Sequence, residues 1–202
     1  MNYFVTAIGT DSGKTVASAI LVEALGADYW KPVQAGFPTD TAAVRFLVSN
    51  LESTFFPERY LLQTPASPHA AAIIDEVEIR LSDFELPGTF NDLIIEGAGG
   101  ALVPINDQDY VIDLADKLDA EVVVVADLYL GSINHTLLTV EALKNRKLKV
   151  KGIIFNGESN PESERIILQK SGWKKLLHIQ KEDQINPETI TKYAALLNEN
   201  WQ

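Results

Sequence analysis

The sequence predicts an α/β fold, doubly wound, with a mostly parallel sheet flanked by helices. Short runs rich in β-branched residues recur at 3–6, 29–33, 92–95, 121–126 and 150–155, and they are almost wholly apolar, as strands covered on both faces must be. Helix-like segments separate them, at 15–25, 40–48, 110–118, 133–143 and 161–170. The conspicuous polar residues also fall just after the strands, where an open parallel sheet collects its ligands.

Each element has its own signal. The run Tyr3-Phe4-Val5-Thr6 passes into the small-residue loop Gly9–Thr15 and then an Ala-rich helix. The second strand ends in Lys31, next to Pro32, and Thr39 or Asp40 is placed to cap the helix that follows. Residues 52–90 are punctuated by Pro57, Pro65, Pro68 and Pro87, and read as an excursion with a short helix near 70–74 and another near Leu81. The third strand ends on Glu96-Gly97, Asp127 follows the fourth, and Asn156 ends the fifth. Asn160 then supplies an N-cap, Pro161 a first helical residue and Glu162 a first-turn acid. From about Leu176 the pattern is least legible.

Composition bounds the function. A chain of 202 residues, 46% hydrophobic and 22% charged, suits one globular domain over 1–202. The net charge of −11 argues against nucleic-acid or anionic-membrane partners, so any phosphate site is a local positive pocket. With no cysteine there is no disulfide, thiolate metal site or thiol nucleophile. No export signal and no apolar run of membrane length are visible, and the expectation is a soluble, cytoplasmic protein.

The residues that follow the strands are expected to meet at one rim. "GTDSGKT" is either a helix that merely begins with Gly-Lys-Thr or a nucleotide site, in which successive backbone N–H groups and the helix N-terminus suit phosphate oxygens, Lys14 reaches terminal phosphates, and the Thr15 hydroxyl suits Mg²⁺. This is a P-loop NTPase type of junction, although Ile8 stands where the strict spelling has glycine. Lys31 is either a surface lysine before a turn or, beside Lys14, a second cation for a phosphoryl group in transfer. Asp40 is either a helix cap or a magnesium ligand. Glu96 is either an exposed glutamate in a tight turn or, at the end of an apolar strand where it is costly to bury unpaired, a metal ligand; the glycines after it let another molecule approach the backbone. The loop at 130–139 presents amides at a helix start, suited to a carboxylate or phosphate. His135 reads as structural, and His69 and His178 are too scattered for a metal cluster.

In order, "YFVTAIGTDSGKTVAS", "KPVQAG", "PTD", "SPH", "IEGAGG", "VP" and "LGSINHTLLT" resemble the dethiobiotin synthetase family over roughly residues 3–157. The resemblance implies a homodimer acting on 7,8-diaminopelargonate, CO2 and Mg-ATP. One amine and CO2 would give a carbamate, its oxygen would attack the γ-phosphate, and the second amine would displace phosphate and close the ring. It further implies that Gly9, Thr10, Asp11, Ser12, Gly13, Lys14, Thr15, Val16, Glu96, Gly97 and Asn156 bind nucleotide, with Asn156 at adenine. Lys14, Lys31, Thr10 and Asp11 would be catalytic, and Thr15, Asp40 and Glu96 would hold Mg²⁺. Lys31, Ala35 and Gly99 would bind substrate, together with Gly131, Ser132 and Asn134 of a second copy. Asp11 stands where the family often has glutamate, and Ala35 where it often has a hydroxyl.

Two other functions fit the loop alone. One is a different P-loop ligase or kinase acting on a small acid or amine. The other is a nucleotide-switched ATPase of the partitioning or scaffold type, which usually carries a further lysine early in the loop, where this chain has Gly9.

Overall fold

The structure is a computed structural model that describes residues 1–201. Along the chain run β1 (Asn2–Ala7), α1 (Lys14–Leu25), β2 (Asp28–Trp30), β3 (Val33–Ala35) and α2 (Asp40–Leu47). Then come β4 (Phe55–Phe56), β5 (Tyr60–Leu62), α3 (Pro68–Ile74), a 3-10 turn at Leu81–Asp83 and β6 (Leu93–Glu96). The last part holds α4 (Asp113–Lys117), β7 (Glu121–Asp127), α5 (Ser132–Asn145), β8 (Val150–Asn156), α6 (Pro161–Ser171), β9 (Lys175–Ile179) and α7 (Pro187–Asn200).

Seven strands pair in the order β4-β2-β6-β1-β7-β8-β9, every pair parallel. Because side chains alternate along a strand, each strand feeds two apolar layers. Phe4, Ile95, Val124 and Phe155 pack on one side with residues of α3, α4, α5 and α6. Val5, Ile94, Val123 and Ile154 pack on the other with α1, α2 and α7. Both faces are therefore covered, as the near-continuous apolar strands require. The chain leaves β1 to build one side of the sheet and later returns to build the other, so the carboxyl ends of β6, β1 and β7 border the switch point.

Two expectations are corrected. The run 29–33 is not one strand: β2 stops at Trp30, and β3 pairs with β5 in a separate two-stranded sheet. Pro32 lacks an N–H for the ladder, and its carbonyl accepts instead from Tyr60 N at 3.0 Å. The helix expected over 110–118 is the shorter α4, because Tyr110 bridges antiparallel to Pro104 and Val111 N donates to Val103 O at 2.8 Å. The poorly legible C-terminus holds β9 and α7, with Leu176, Leu177 and Ile179 buried. Helix α7 opens on Asn186-Pro187-Glu188, which repeats the start of α6, and both asparagines accept a backbone N–H three residues on.

Candidate functional site

The P-loop is held from three directions. Ile8, in place of glycine, extends β1 by donating its N–H to Val125 O at 3.2 Å, so the turn begins at Gly9. Ser12 Oγ and Lys14 Nζ both donate to Gly9 O, at 3.3 Å each, and curl the loop on itself. Gly13 has φ +92°, in the left-handed region, and caps α1. A Cβ there would stand 2.4 Å from Asn156 Nδ2, which donates to Ser12 O at 3.0 Å. Asn156, at the end of β8, thus braces the loop from the far strand.

The segment after β6 lies against the same loop. A Cβ on Gly100 would come within 3.4 Å of Gly9 Cα and Ala7 O, and one on Gly97 within 3.1 Å of the Phe4 ring. The close approach that these two glycines permit is made by the chain itself.

Beside the loop opens a cavity of about 690 Å³. Its lining includes Thr10, Asp11, Gly13, Lys14, Thr15, Val16, Lys31, Ala35, Asp40, Glu96 and Gly99, from segments far apart in sequence. Lys31 is pivotal. Its Nζ lies 2.7 Å from Asp40 Oδ2, 3.0 Å from Glu96 Oε1 and 3.0 Å from Gly97 O. The Glu96 side chain is 0% exposed, and a carboxylate so buried needs a cation beside it. Thr15 Oγ1 sits 3.2 Å from Asp40 Oδ1 and 3.1 Å from Glu96 Oε1, one hydroxyl proton between two carboxylates. Tyr29 Oη donates to the other Glu96 oxygen, Oε2, at 3.0 Å.

Asp40 is free for this work because Thr39 is the N-cap of α2, accepting from Ala42 N at 3.2 Å. The buried Gln34 amide accepts from Asp40 N at 2.9 Å and donates to Gly36 O at 3.3 Å, fixing the start of α2 against β3.

The two lysines are pushed in opposite directions. Burial, then the nearby Lys31 charge, lowers the pKa of Lys14 despite Glu96, Asp40 and Asp11. Burial also pulls on Lys31, but the Glu96 and Asp40 carboxylates outweigh it and hold the group above the ordinary lysine value. Burial and the charges of Glu96 and Asp40 push the Tyr29 hydroxyl well above the usual phenol range, so it stays a donor.

Thr15, Asp40 and Glu96 present hard oxygen atoms to one spot, a donor set that fits Mg²⁺. Among the described residues no group of three or more His, Cys, Asp or Glu could hold a metal alone. A magnesium ion held by these three residues would supply positive charge beside the phosphate loop.

The rest of the expected set lies elsewhere. Gly9, Ser12 and Asn156 build or brace the loop, and Gly97 packs on Phe4 and accepts from Lys31, all without lining the cavity. Gly131 and Asn134 are exposed at the start of α5, and Gly131 caps that helix at φ +106°. Ser132 is 1% exposed, with its N–H donated to Tyr129 O at 3.0 Å. His135 is exposed and pairs with the Tyr129 hydroxyl. Val33, Gln34, Ala98, Val103 and residues 65–68 complete the cavity wall. Sequence reasoning assigned none of them to the site, although "KPVQAG" and "SPH" contain several.

A family model described as an AAA domain matches residues 1–189. The chain is 58% identical over 201 residues to the ATP-dependent dethiobiotin synthetase BioD of Cytophaga hutchinsonii, covering 98% of each chain. It is 47% identical over 195 residues to the protein of the same name from Christiangramia forsetii, covering 96% of this chain and 94% of that one. Among solved structures, a ParA family ATPase from Chlorobium tepidum aligns with TM-score 0.60 at 12% identity, over 98% of this chain and 95% of the other. The septum site-determining protein MinD from Pyrococcus horikoshii, complexed with Mg-ADP, aligns with TM-score 0.58 at 15% identity, over 100% and 93%. At such identities those two likenesses are of fold.

Proposed function

The chain belongs to the dethiobiotin synthetase family, and from that premise we propose that the cavity beside its P-loop joins 7,8-diaminopelargonate, CO2 and Mg-ATP. It is an ATP-dependent ligase of biotin biosynthesis. One amine of the diamine adds to CO2 to give a carbamate. A carbamate oxygen attacks the γ-phosphorus and ADP leaves. The second amine then attacks the carbamoyl carbon, phosphate leaves, and the ureido ring closes.

Phosphoryl transfer asks mainly for positioning and charge neutralisation. Lys14 neutralises the terminal phosphates within the loop amides of Gly9, Thr10, Asp11, Ser12 and Gly13, and Val16 lines the entry. Lys31 faces the carbamate and the γ-phosphate, Thr15, Asp40 and Glu96 would hold Mg²⁺, and Asn156 meets the adenine. Mg²⁺, when bound, offsets the phosphate charge. Ala35, Gly99 and the wall at 65–68 surround the diamine.

The substrate carboxylate goes to the start of α5 of a second copy, at Gly131, Ser132 and Asn134. Supporting a homodimer, Leu102, Leu130, Ile133 and Leu138 are all exposed near that helix start, and Leu102 and Leu138 line one groove with His135. The net charge of −11 supports a protein that binds neither nucleic acid nor membranes. The proposed place of action is the cytoplasm; among the described residues no helix is long and apolar enough to cross a membrane.

The observation that carries this reading is the seat of Lys31, between two carboxylates on the cavity that Lys14 and Thr15 share. It is tested by ADP release, which should require the diamine and bicarbonate together. Slow ATP turnover indifferent to both would favour a nucleotide switch, a reading that Gly9 in place of an early loop lysine disfavours.

A further inference from the structure

Glu96 has two carboxylate oxygens, and the fold spends them differently. In the parallel ladder Tyr29 of β2 stands opposite Ile94 of β6, so the next side chain on that face of β6 is Glu96. The phenol spans that step and donates to Oε2 at 3.0 Å. Tyr29 is 0% exposed, and its ring leans on Phe55 of the edge strand β4 with centroids 6.0 Å apart. It has no room to swing away. Oε1 is left facing Thr15 and Lys31, on the cavity.

We propose that Tyr29 is a positioning residue that occupies Oε2 of Glu96 and thereby presents a bound cation with one oxygen, favouring Mg²⁺ over Ca²⁺. This rests on the reading of Glu96 as a magnesium ligand. The physical basis is the difference between the two ions. Magnesium demands near-ideal octahedral geometry with single-oxygen ligation, whereas calcium accepts carboxylates through both oxygens in a loose shell. A partner that pins the outer-lying oxygen of a ligand commonly sets both orientation and affinity. Tyr29 touches neither substrate nor metal and acts only through Glu96.

The test is calorimetric titration of Mg²⁺ and of Ca²⁺ into the full-length protein saturated with a non-hydrolysable ATP analogue. Tyr29→Phe should weaken Mg²⁺ binding roughly 10- to 100-fold, as loss of such outer partners does, and should raise the Ca²⁺-to-Mg²⁺ affinity ratio. A lowered melting temperature with both affinities unchanged would reduce Tyr29 to core packing and overturn the inference. Glu96→Gln separates the two levels. If it leaves Mg²⁺ affinity untouched, the ligand reading itself fails; if it weakens Mg²⁺ while Tyr29→Phe does not, only the role of Tyr29 fails. Should Tyr29→Phe not fold, 3-fluorotyrosine placed at position 29 keeps the packing. Its fluorine resonance should move when Mg²⁺ is added to the nucleotide-analogue complex, and a stationary resonance would overturn the inference.

Discussion

Asn156 Nδ2 stands where a Cβ on Gly13 would have to go, 2.4 Å from that position, while donating to the neighbouring Ser12 carbonyl. The last residue of β8 and the last loop residue before α1 are thus mutually exclusive in size. Gly13→Ala should therefore fail twice, on contact and on its left-handed φ, which alone costs about 1–2 kcal/mol for an L-residue. Nucleotide affinity measured by calorimetry should fall by roughly tenfold or more, since each 1.4 kcal/mol is a factor of about ten. An Asn156→Gly, Gly13→Ala double variant should regain more loop order than the single variant, read as hydrogen-exchange protection at residues 9–15.

Lys14→Met should uncouple stability from activity. The buried Lys14 charge is poorly compensated without a nucleotide, so its removal should raise the melting temperature of the ligand-free protein; 1 kcal/mol is about 2–4 °C for a chain of this size. Turnover should drop by about 10²–10³ or more, and the melting shift produced by ATP should vanish. Because the folded state holds this group below 10.5, the unfolded chain binds more protons in that window. The ligand-free deficit is complete below the lowered value and shrinks as pH climbs toward 10.5.

Lys31→Met should do the opposite to stability. It strands Glu96 and Asp40 together, and breaking a buried pair in this way costs about 3–5 kcal/mol. The ligand-free melting temperature should fall, and added Mg²⁺ should restore part of the loss. The folded pKa of Lys31 is raised, so its stabilisation is fully present below 10.5 and disappears as pH rises through the raised value. Thermal melts of wild type and variant across alkaline pH should converge.

Asp40→Asn should shift the magnesium requirement of ADP release to higher concentration while leaving α2 intact, because Thr39 and Gln34 hold the helix start. An unchanged magnesium curve would confine Asp40 to pairing with Lys31.

Mixing inactive Lys14→Ala and Asn134→Ala proteins should restore up to about a quarter of wild-type activity, since half of random dimers are mixed and each carries one intact site. No recovery on mixing would mean that each protomer works with its own α5.

Much of this arrangement is legible in the chain because the apolar strands announce themselves and their carboxyl ends carry the unusual polar residues. Lys14, Lys31 and Glu96 are singled out that way, whereas Asp40 stands out only as one of two cap candidates at a helix start. The failures share a cause in tertiary pairing. Residues 29–33 have the composition of one strand, yet Pro32 sends Val33 to a different partner, Tyr60, across a sequence gap that no local pattern encodes. Tyr29 reads as an ordinary core aromatic, and only the register of β2 on β6 puts its hydroxyl on Glu96. Gln34 is likewise silent until α2 is docked. The C-terminal strand and helix did carry a local signal, the Asn-Pro-Glu start at 186–188 already used at 160–162.

The break after Trp30 divides the cavity between two foundations. Glu96 ends a strand of the seven-stranded sheet, and Lys14 and Thr15 open the helix that follows β1 of that sheet, whereas Val33, Gln34, Ala35 and the 65–68 wall hang from the small β3–β5 pair. On the proposed function, retooling the acceptor side would ask little of the triphosphate side. On that same proposal, an engineer seeking to accept a longer or bulkier diamine would redraw residues 60–68 and leave the P-loop side untouched.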